Sequence, residues 1–412
     1  MTDGTFYDDL ETRSADERAA AQLDALRRQV AHAKSSGAYW AETLKEVDAG
    51  ALTLDGLSAL PVTRKSDLMA RQADAPPFGG LTATPTGDLA RLFLSPGPIA
   101  DPEGKGRDWW RFARAFHAAG FRKGDIALNC FSYHLTPAGH MFESGAHALG
   151  IPVIPGGVGN SEAQVEIAAF YGATAYSGTP DFVKILLDKA DELGKTLAIE
   201  KALVGGGTLF PSMREEYERR GVSTQQIYGT ADLGCVAYES AAREGLIAEE
   251  QVLIEIVRPG TGEPVPDGEV GEVLVTLLAN KDYPLIRFAT GDLSARMAGT
   301  SPCGRTAPRI KGWMGRADQT TKIKGMFVRP EQVAAFAARH PEIAKARVVV
   351  TSDAKKLDVM TIKVESEADI DAGKLAETAQ SVFKLKGAIE WAAPGSLPND
   401  GKVIEDARDY ET

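Results

Sequence analysis

The stretch Phe288–Gly325, FATGDLSARMAGTSPCGRTAPRIKGWMGRADQTTKIKG, decides how the rest of the chain is read. It sets Thr290-Gly291-Asp292 about two dozen residues ahead of Gly315-Arg316-Ala317-Asp318, and a basic run, Lys322-Ile323-Lys324-Gly325, follows. Gly and Asp dominate tight turns, so each short motif alone reads as an ordinary hairpin turn. A Gly-Asp pair that closes such a turn also leaves a carboxylate free to accept two hydroxyl hydrogen bonds, as holding a ribose requires.

Outward from this stretch the pattern is of two kinds. Upstream, Ser14 to Ser35 is Ala-rich with helical apolar spacing, and Asp16 near its start complements the helix dipole. Helical segments over Asp108 to Gly120, Ala138 to Leu149, Ala163 to Tyr171 and Phe182 to Leu193 alternate with short apolar strands over Asp125 to Cys130, Ile151 to Ile154 and Lys201 to Val204. That alternation predicts an α/β fold with parallel, helix-covered sheets. Between Val252 and Ile286 strands flank the turn-rich PGTGEPVPDGEVG, which predicts a small β subdomain. After Asp318 a small α+β unit follows: a helix over Pro330 to Arg339, strands over Ala346 to Thr351 and Val359 to Val364, and a helix over Asp371 to Leu385.

Bulk properties exclude several classes. A chain of 412 residues buries a large core and divides into more than one domain. A formal charge of −11 argues against nucleic acid or an anionic membrane as partner, since both call for a basic face. Cys130, Cys235 and Cys303 are too few for a disulfide framework, which predicts a reducing cytoplasm. The acidic start MTDGTFYDDLETR has no apolar signal core, and no later run reaches membrane-spanning length.

In order and spacing, the two motifs of the opening stretch resemble the nucleotide-binding and hinge motifs of adenylate-forming enzymes. Cys303–Ile310, CGRTAPRI, resembles the phenylacetate-CoA ligase branch. The resemblance covers nearly the whole chain. It implies a large N-terminal domain over 1–317, with the β subdomain at about 252–317, and a small mobile C-terminal lid over 318–412 that swings about Asp318. It implies an AMP-forming acyl- or aryl-CoA ligase using ATP, Mg2+ and coenzyme A on a small carboxylic acid, and a homodimer. Asp292 is the implied ribose contact, and Arg316 counters charge. YGTAD (Tyr228–Asp232) stands where the family has Tyr-Gly-x-Ser/Thr-Glu, so Tyr228 and Gly229 are implied on the adenine and Asp232 on magnesium. VGGGTLFP brings Gly207 and Thr208 to the adenine loop and Gly205 and Gly206 to the acyl pocket. Tyr133 lines that pocket too, with His134 and Thr136 where the family has Gly and Phe, which implies a narrower, more polar pocket. LPNDGKVIEDARDY resembles the segment that delivers the catalytic lysine, which points to Lys402. Glu405 stands where relatives often have Arg.

Two departures matter. Where the family carries Ser-Ser-Gly-Thr-Thr-Gly-Lys-Pro-Thr, this chain reads SPGPIADPE (Ser95–Glu103). A phosphate loop works through backbone N–H groups, hydroxyls and a cation. Pro96, Pro98 and Pro102 have no N–H, and Asp101 and Glu103 add negative charge. Each lost charged contact costs about 1–3 kcal/mol. Ser95 and Gly97 are the residues left to face phosphate. One reading has ATP bound differently, with Lys105 or Arg107 supplying charge. In the other, ATP use has weakened or gone, and the chain serves as a binding or regulatory subunit or in an ATP-independent CoA-linked reaction. The second departure is metal: Glu239-Ser240, Gly245-Leu246-Ile247 and Ser301-Pro302-Cys303-Gly304 stand where many relatives have a zinc-site pattern. One thiolate cannot hold a tetrahedral zinc, so no structural zinc is expected.

Overall fold

Strong local signals fix the helix ends around which the fold is built. The first helix, Ala15–Ser36, starts at a capping box in which Ser14 and Glu17 satisfy each other's backbone N–H. Pro180 and Pro211 open Pro180–Glu192 and Pro211–Arg219, where a missing N–H costs nothing. Gly172, at φ +64°, ends Ser161–Tyr171 in the left-handed conformation that glycine tolerates best. The structure, a computed structural model, describes residues 4–95, 98–317, 319, 321–323, 326–353, 358–368 and 370–408.

The chain forms two compact units. The first comprises Met1–Ile254, Val275–Thr290 and Met297–Trp313; the second comprises Glu255–Leu274, Gly291–Arg296 and Met314–Thr412. In the first, Val153–Pro155, Ala127–Asn129, Ala175–Gly178, Lys201–Val204 and Ser223–Thr230 lie side by side, each pair parallel. The sheet then turns antiparallel through Gly234–Tyr238, Leu246–Ala248 and Arg309–Ile310. Two cores are built around it. One gathers Phe112, Phe116, Phe131, Phe142 and Ile227; the other gathers Leu128, Val165, Tyr176, Leu186 and Tyr217.

In the second unit Ala388–Ala392, Asp358–Ser366, Ile343–Ser352 and Ile404–Asp406 form a four-stranded sheet in that order. The helices Pro330–Ala338 and Ala372–Phe383 bring Phe336 and Phe383 to its core, beside Val348, Val350 and Ile362.

Several expectations are corrected. Thr290-Gly291-Asp292 is not a hairpin turn but lies within one ten-residue strand, Phe288–Met297. Gly291, at φ +74°, keeps the irregularity there. The helix predicted over Asp108 to Gly120 is only Ala113–Ala118, because Asp108 and Arg111 take positive φ and the Asp108 carboxylate accepts from Phe112 N and Ala113 N. Two short strands, Ala175–Gly178 and Ile404–Asp406, had no periodic signature long enough to read. The largest correction concerns the stretch read as a loop over Ser95–Glu103, of which Ser95 and Ile99–Glu103 lie in paired β-strands. Arg91–Ser95 pairs antiparallel with Ile99–Glu103, with Ser95 opposite Ile99, and Asp101 and Glu103 are buried.

Candidate active site

In an open parallel sheet, ligands are bound beyond the carboxyl ends of the strands. Those ends carry most of the residues singled out above. Beyond Ala127–Asn129 comes the loop with Tyr133, His134 and Thr136; beyond Lys201–Val204 comes Gly205–Thr208; Ser223–Thr230 contains Tyr228 and Gly229 and runs into the turn at Asp232.

Asn129, fully buried at its strand end, shapes the first loop. Its amide donates to the Tyr133 hydroxyl at 2.7 Å and to Gly139 O at 2.8 Å, and it accepts from Ser177 Oγ at 3.1 Å. Burial, with Glu143 nearby, raises the Tyr133 pKa well above the usual phenol range, so the hydroxyl stays protonated. Gly205 is required: a Cβ there meets Ile227 Cγ2 at 2.9 Å and lies 3.6 Å from the Phe142 ring. Gly206 faces Phe131, which stacks on Phe142 with centroids 4.1 Å apart. Thr136 is half-buried, but His134 is exposed, and it is His140 whose ring packs edge-on against Tyr133. Gly207 and Thr208 are exposed on their loop.

Tyr228 is buried, and its hydroxyl lies 3.2 Å from Thr290 Oγ1. At Gly229 the strand register shifts and a Cβ would meet Gly234 O at 2.5 Å, so glycine is needed for close backbone approach. Asp232 is fully buried. Its Oδ2 is held by Lys65 Nζ at 2.5 Å and by Thr230 Oγ1 at 3.4 Å, while Oδ1 has no hydrogen-bond partner. Asp101 comes to the same place from the hairpin. It is 0% exposed, and neither carboxylate oxygen is in hydrogen-bonding geometry with a donor. Burial first, and the Asp232 carboxylate second, push Asp101 up to about 7, with Ser95 and Lys65 pulling the other way. The Tyr283 hydroxyl, also buried and unpartnered, feels both carboxylates.

These contacts test the magnesium that the sequence resemblance implies against the residues present. A buried carboxylate with one oxygen anchored and the other bare is what a hard, oxygen-seeking cation requires, so Asp232 fits. Ser95 is buried and hydrogen-bonds Ile99 O at 3.3 Å; Gly97 lies outside the described residues. The backbone of Ala100 is committed in both directions to the Gln72 amide, at 2.8 and 2.9 Å.

In the second unit, Asp292 is 7% exposed and its Oδ1 accepts from Arg316 Nη1 at 2.7 Å, across an isolated antiparallel bridge. Gly291, at φ +74°, takes a left-handed conformation that favours glycine, and its Cα faces the Arg316 guanidinium. Asp318 lies outside the described residues, but its neighbour Gln319 holds the Lys402 loop. The Gln319 amide donates to Gly401 O at 2.8 Å and accepts from Val403 N and Ile404 N at 2.6 and 2.8 Å. Gly401 packs against Val270 and Leu293, and Lys402 is exposed. Glu405 has its own partner: Arg347, almost fully buried, pairs with both Glu405 and Asp400.

Lys65, Asn129, Gln319 and Arg347 were not singled out in the sequence. Lys65, Gln319 and Arg347 meet partners more than fifty residues away, and Asn129 sits at the end of a strand only three residues long. For zinc, Cys303 is flanked by Ser301 and Arg305, and among the described residues no group of three or more His, Cys, Asp or Glu side chains could hold a metal ion.

Comparison with known proteins finds relatives by sequence and a likeness of fold among solved structures. The phenylacetate-coenzyme A ligase of Thermus thermophilus is 32% identical over 87% of this chain and 84% of its own length. The phenylacetate-coenzyme A ligase of Escherichia coli K12 is 29% identical over 89% of this chain and 86% of its own. The 2-hydroxyisobutyryl-CoA ligase structure in the postadenylation state, with 2-HIB-AMP, superposes with a TM-score of 0.73 over the whole chain and 94% of its own at 24% identity, a likeness of fold. No family model matches the chain. Among the described residues no helix is long and apolar enough to cross a membrane.

Proposed function

The chain belongs to the phenylacetate-CoA ligase family, and on that premise we propose that it is an AMP-forming carboxylate-CoA ligase. A carboxylate attacks the α-phosphate of ATP, giving an acyl-adenylate and pyrophosphate; coenzyme A then displaces AMP to form the thioester. Asp292, braced by Arg316, is the observation that carries this reading. Its carboxylate is held in one orientation beside a half-exposed guanidinium, an arrangement suited to ribose hydroxyls and a nearby phosphate.

The chain's own residues divide the work. Tyr228 and the Gly207-Thr208 loop receive the adenine. Lys402 carries an ammonium on a short loop clamped by Gln319, and brings it to the charge that develops as the acid meets the α-phosphate. Asp318 serves as the hinge. Asp232 is the residue that holds magnesium, whose chemistry when bound is to neutralise phosphate charge. The acid sits against Tyr133, Thr136, Gly205 and Gly206, with Phe131 and Phe142 behind the glycines. Aromatic and arylacetic acids suit those rings, and the Tyr133 hydroxyl suits a small polar acid equally. The proposal includes a cytoplasmic location.

A panel of aryl, arylacetic and small hydroxy acids assayed by acid-dependent pyrophosphate release tests the proposal. Release with at least one acid, followed by thioester formation once coenzyme A is added, is expected. Nucleotide binding without release from any acid would count against it.

A second reading is favoured by one observation. The hairpin at 91–103 commits the Ala100 backbone to Gln72 and buries Asp101 where a triphosphate-binding loop offers N–H groups. In that reading the chain binds a CoA-linked ligand without adenylating, and calorimetry shows coenzyme A binding but neither ATP nor AMP.

A further inference from the structure

Asp101 makes no hydrogen bond or ion pair among the described residues, although it is fully buried. A charged group in that position is costly unless something pairs with it. The nearby cation, Lys65, is committed to Asp232 Oδ2 at 2.5 Å. Three carboxylate oxygens are therefore left bare, Asp101 Oδ1, Asp101 Oδ2 and Asp232 Oδ1, with the unpartnered Tyr283 hydroxyl in the same surroundings. When both carboxylates are ionised, one ammonium leaves a net negative charge.

We infer that Asp101 and Asp232 together form a divalent-cation site, in which Asp101 supplies through the metal the hold on the triphosphate that the Pro-rich hairpin cannot supply through its backbone. This rests on the ligase reading and deepens it. Hard cations such as Mg2+ and Mn2+ take oxygen ligands, and Mg2+ is commonly held by one or two carboxylates with substrate phosphates and water completing the shell. Two carboxylates fall short of a self-sufficient cage, so the ion joins together with the nucleotide. Asp232 is already built as a ligand, with Lys65 and Thr230 orienting one oxygen and leaving the other bare. The Tyr283 oxygen offers an acceptor for a metal-bound water. The acidic residue in the hairpin, which repels free phosphate, becomes an attraction once a divalent ion lies between them.

The test is calorimetric titration of α,β-methylene-ATP, which cannot donate its adenylyl group, into the full chain with Mn2+ or with EDTA. For the native protein Mn2+ tightens the analogue at least tenfold. Asp101→Asn cuts that gain at least fivefold while tightening metal-free binding, because a repelling charge has gone. A purely structural role for Asp101 does not produce this crossover. Asp101→Ser is the second variant should the first not fold, and thermal melting checks both. An unchanged metal gain in a folded variant overturns the inference. So does equal binding in Mn2+ and EDTA by the native protein, which leaves the ligase reading standing. No analogue binding under either condition overturns both together.

Discussion

At Asp232 a buried carboxylate depends on one lysine. Lys65→Ala removes the ammonium 2.5 Å away and leaves the charge without its ion pair. Breaking a buried pair costs about 3–5 kcal/mol, and since Lys65 is about a quarter exposed the expected loss is near the lower end, about 3 kcal/mol in denaturant unfolding. A change below about 0.5 kcal/mol would mean the pair is solvated. Lys402 acts differently, because it is exposed and its loss costs little stability. Lys402→Ala should lower the adenylation rate by about 10²-fold or more, the usual scale for one preorganised electrostatic group, and spare thioester formation from supplied acyl-adenylate. Loss of neither step removes Lys402 from the site. At this scale a contiguous motif was enough to nominate candidates, as at Tyr228-Gly229, Asp232 and Gly291-Asp292. Residues that act through distant partners were hidden: Lys65 meets Asp232, 167 positions away, and Gln319 reaches Gly401, 82 away.

Among the elements, the segment Asp108–Ala118 shows how one carboxylate shortens a helix and ties it to pH. Asp108 accepts from two backbone N–H groups, yet burial dominates and pushes it up from 3.8 to about 6. With the folded value raised, its contribution to stability is complete below about 3.8 and is lost as pH rises through about 6. Each tenfold change in proton affinity is worth about 1.4 kcal/mol, so relative to Asp108→Asn the native protein should lose roughly 3 kcal/mol of stability between pH 4 and pH 7. Parallel pH profiles for the two proteins would contradict this. The elements that sequence periodicity captured were the long amphipathic helices and the apolar parallel strands. The paired strands Arg91–Ser95 and Ile99–Glu103 escaped because the sequence between them, Pro96-Gly97-Pro98, reads as a loop. Their alternation also places Asp101 on the buried face, while Leu92 and Leu94 are 57% and 50% exposed, the reverse of what hydrophobic patterning predicts.

For the whole molecule, the α/β class and the family were legible because they rest on many weak signals that agree in order along the chain. The division into units was less so: it cuts within the strands Val252–Val257, Val270–Leu277 and Phe288–Met297, and no composition shift marks a cut inside a strand. Whether an acidic hairpin can serve in place of the phosphate loop that the resemblance implies decides the function of the entire chain. Calorimetric titration of ATP into the 412-residue chain in the presence of Mg2+ tests this most directly. Saturable one-site binding, reproduced with AMP and weakened at least tenfold by Asp292→Ala, is the predicted result. Coenzyme A binding with no heat from either ATP or AMP would contradict the account.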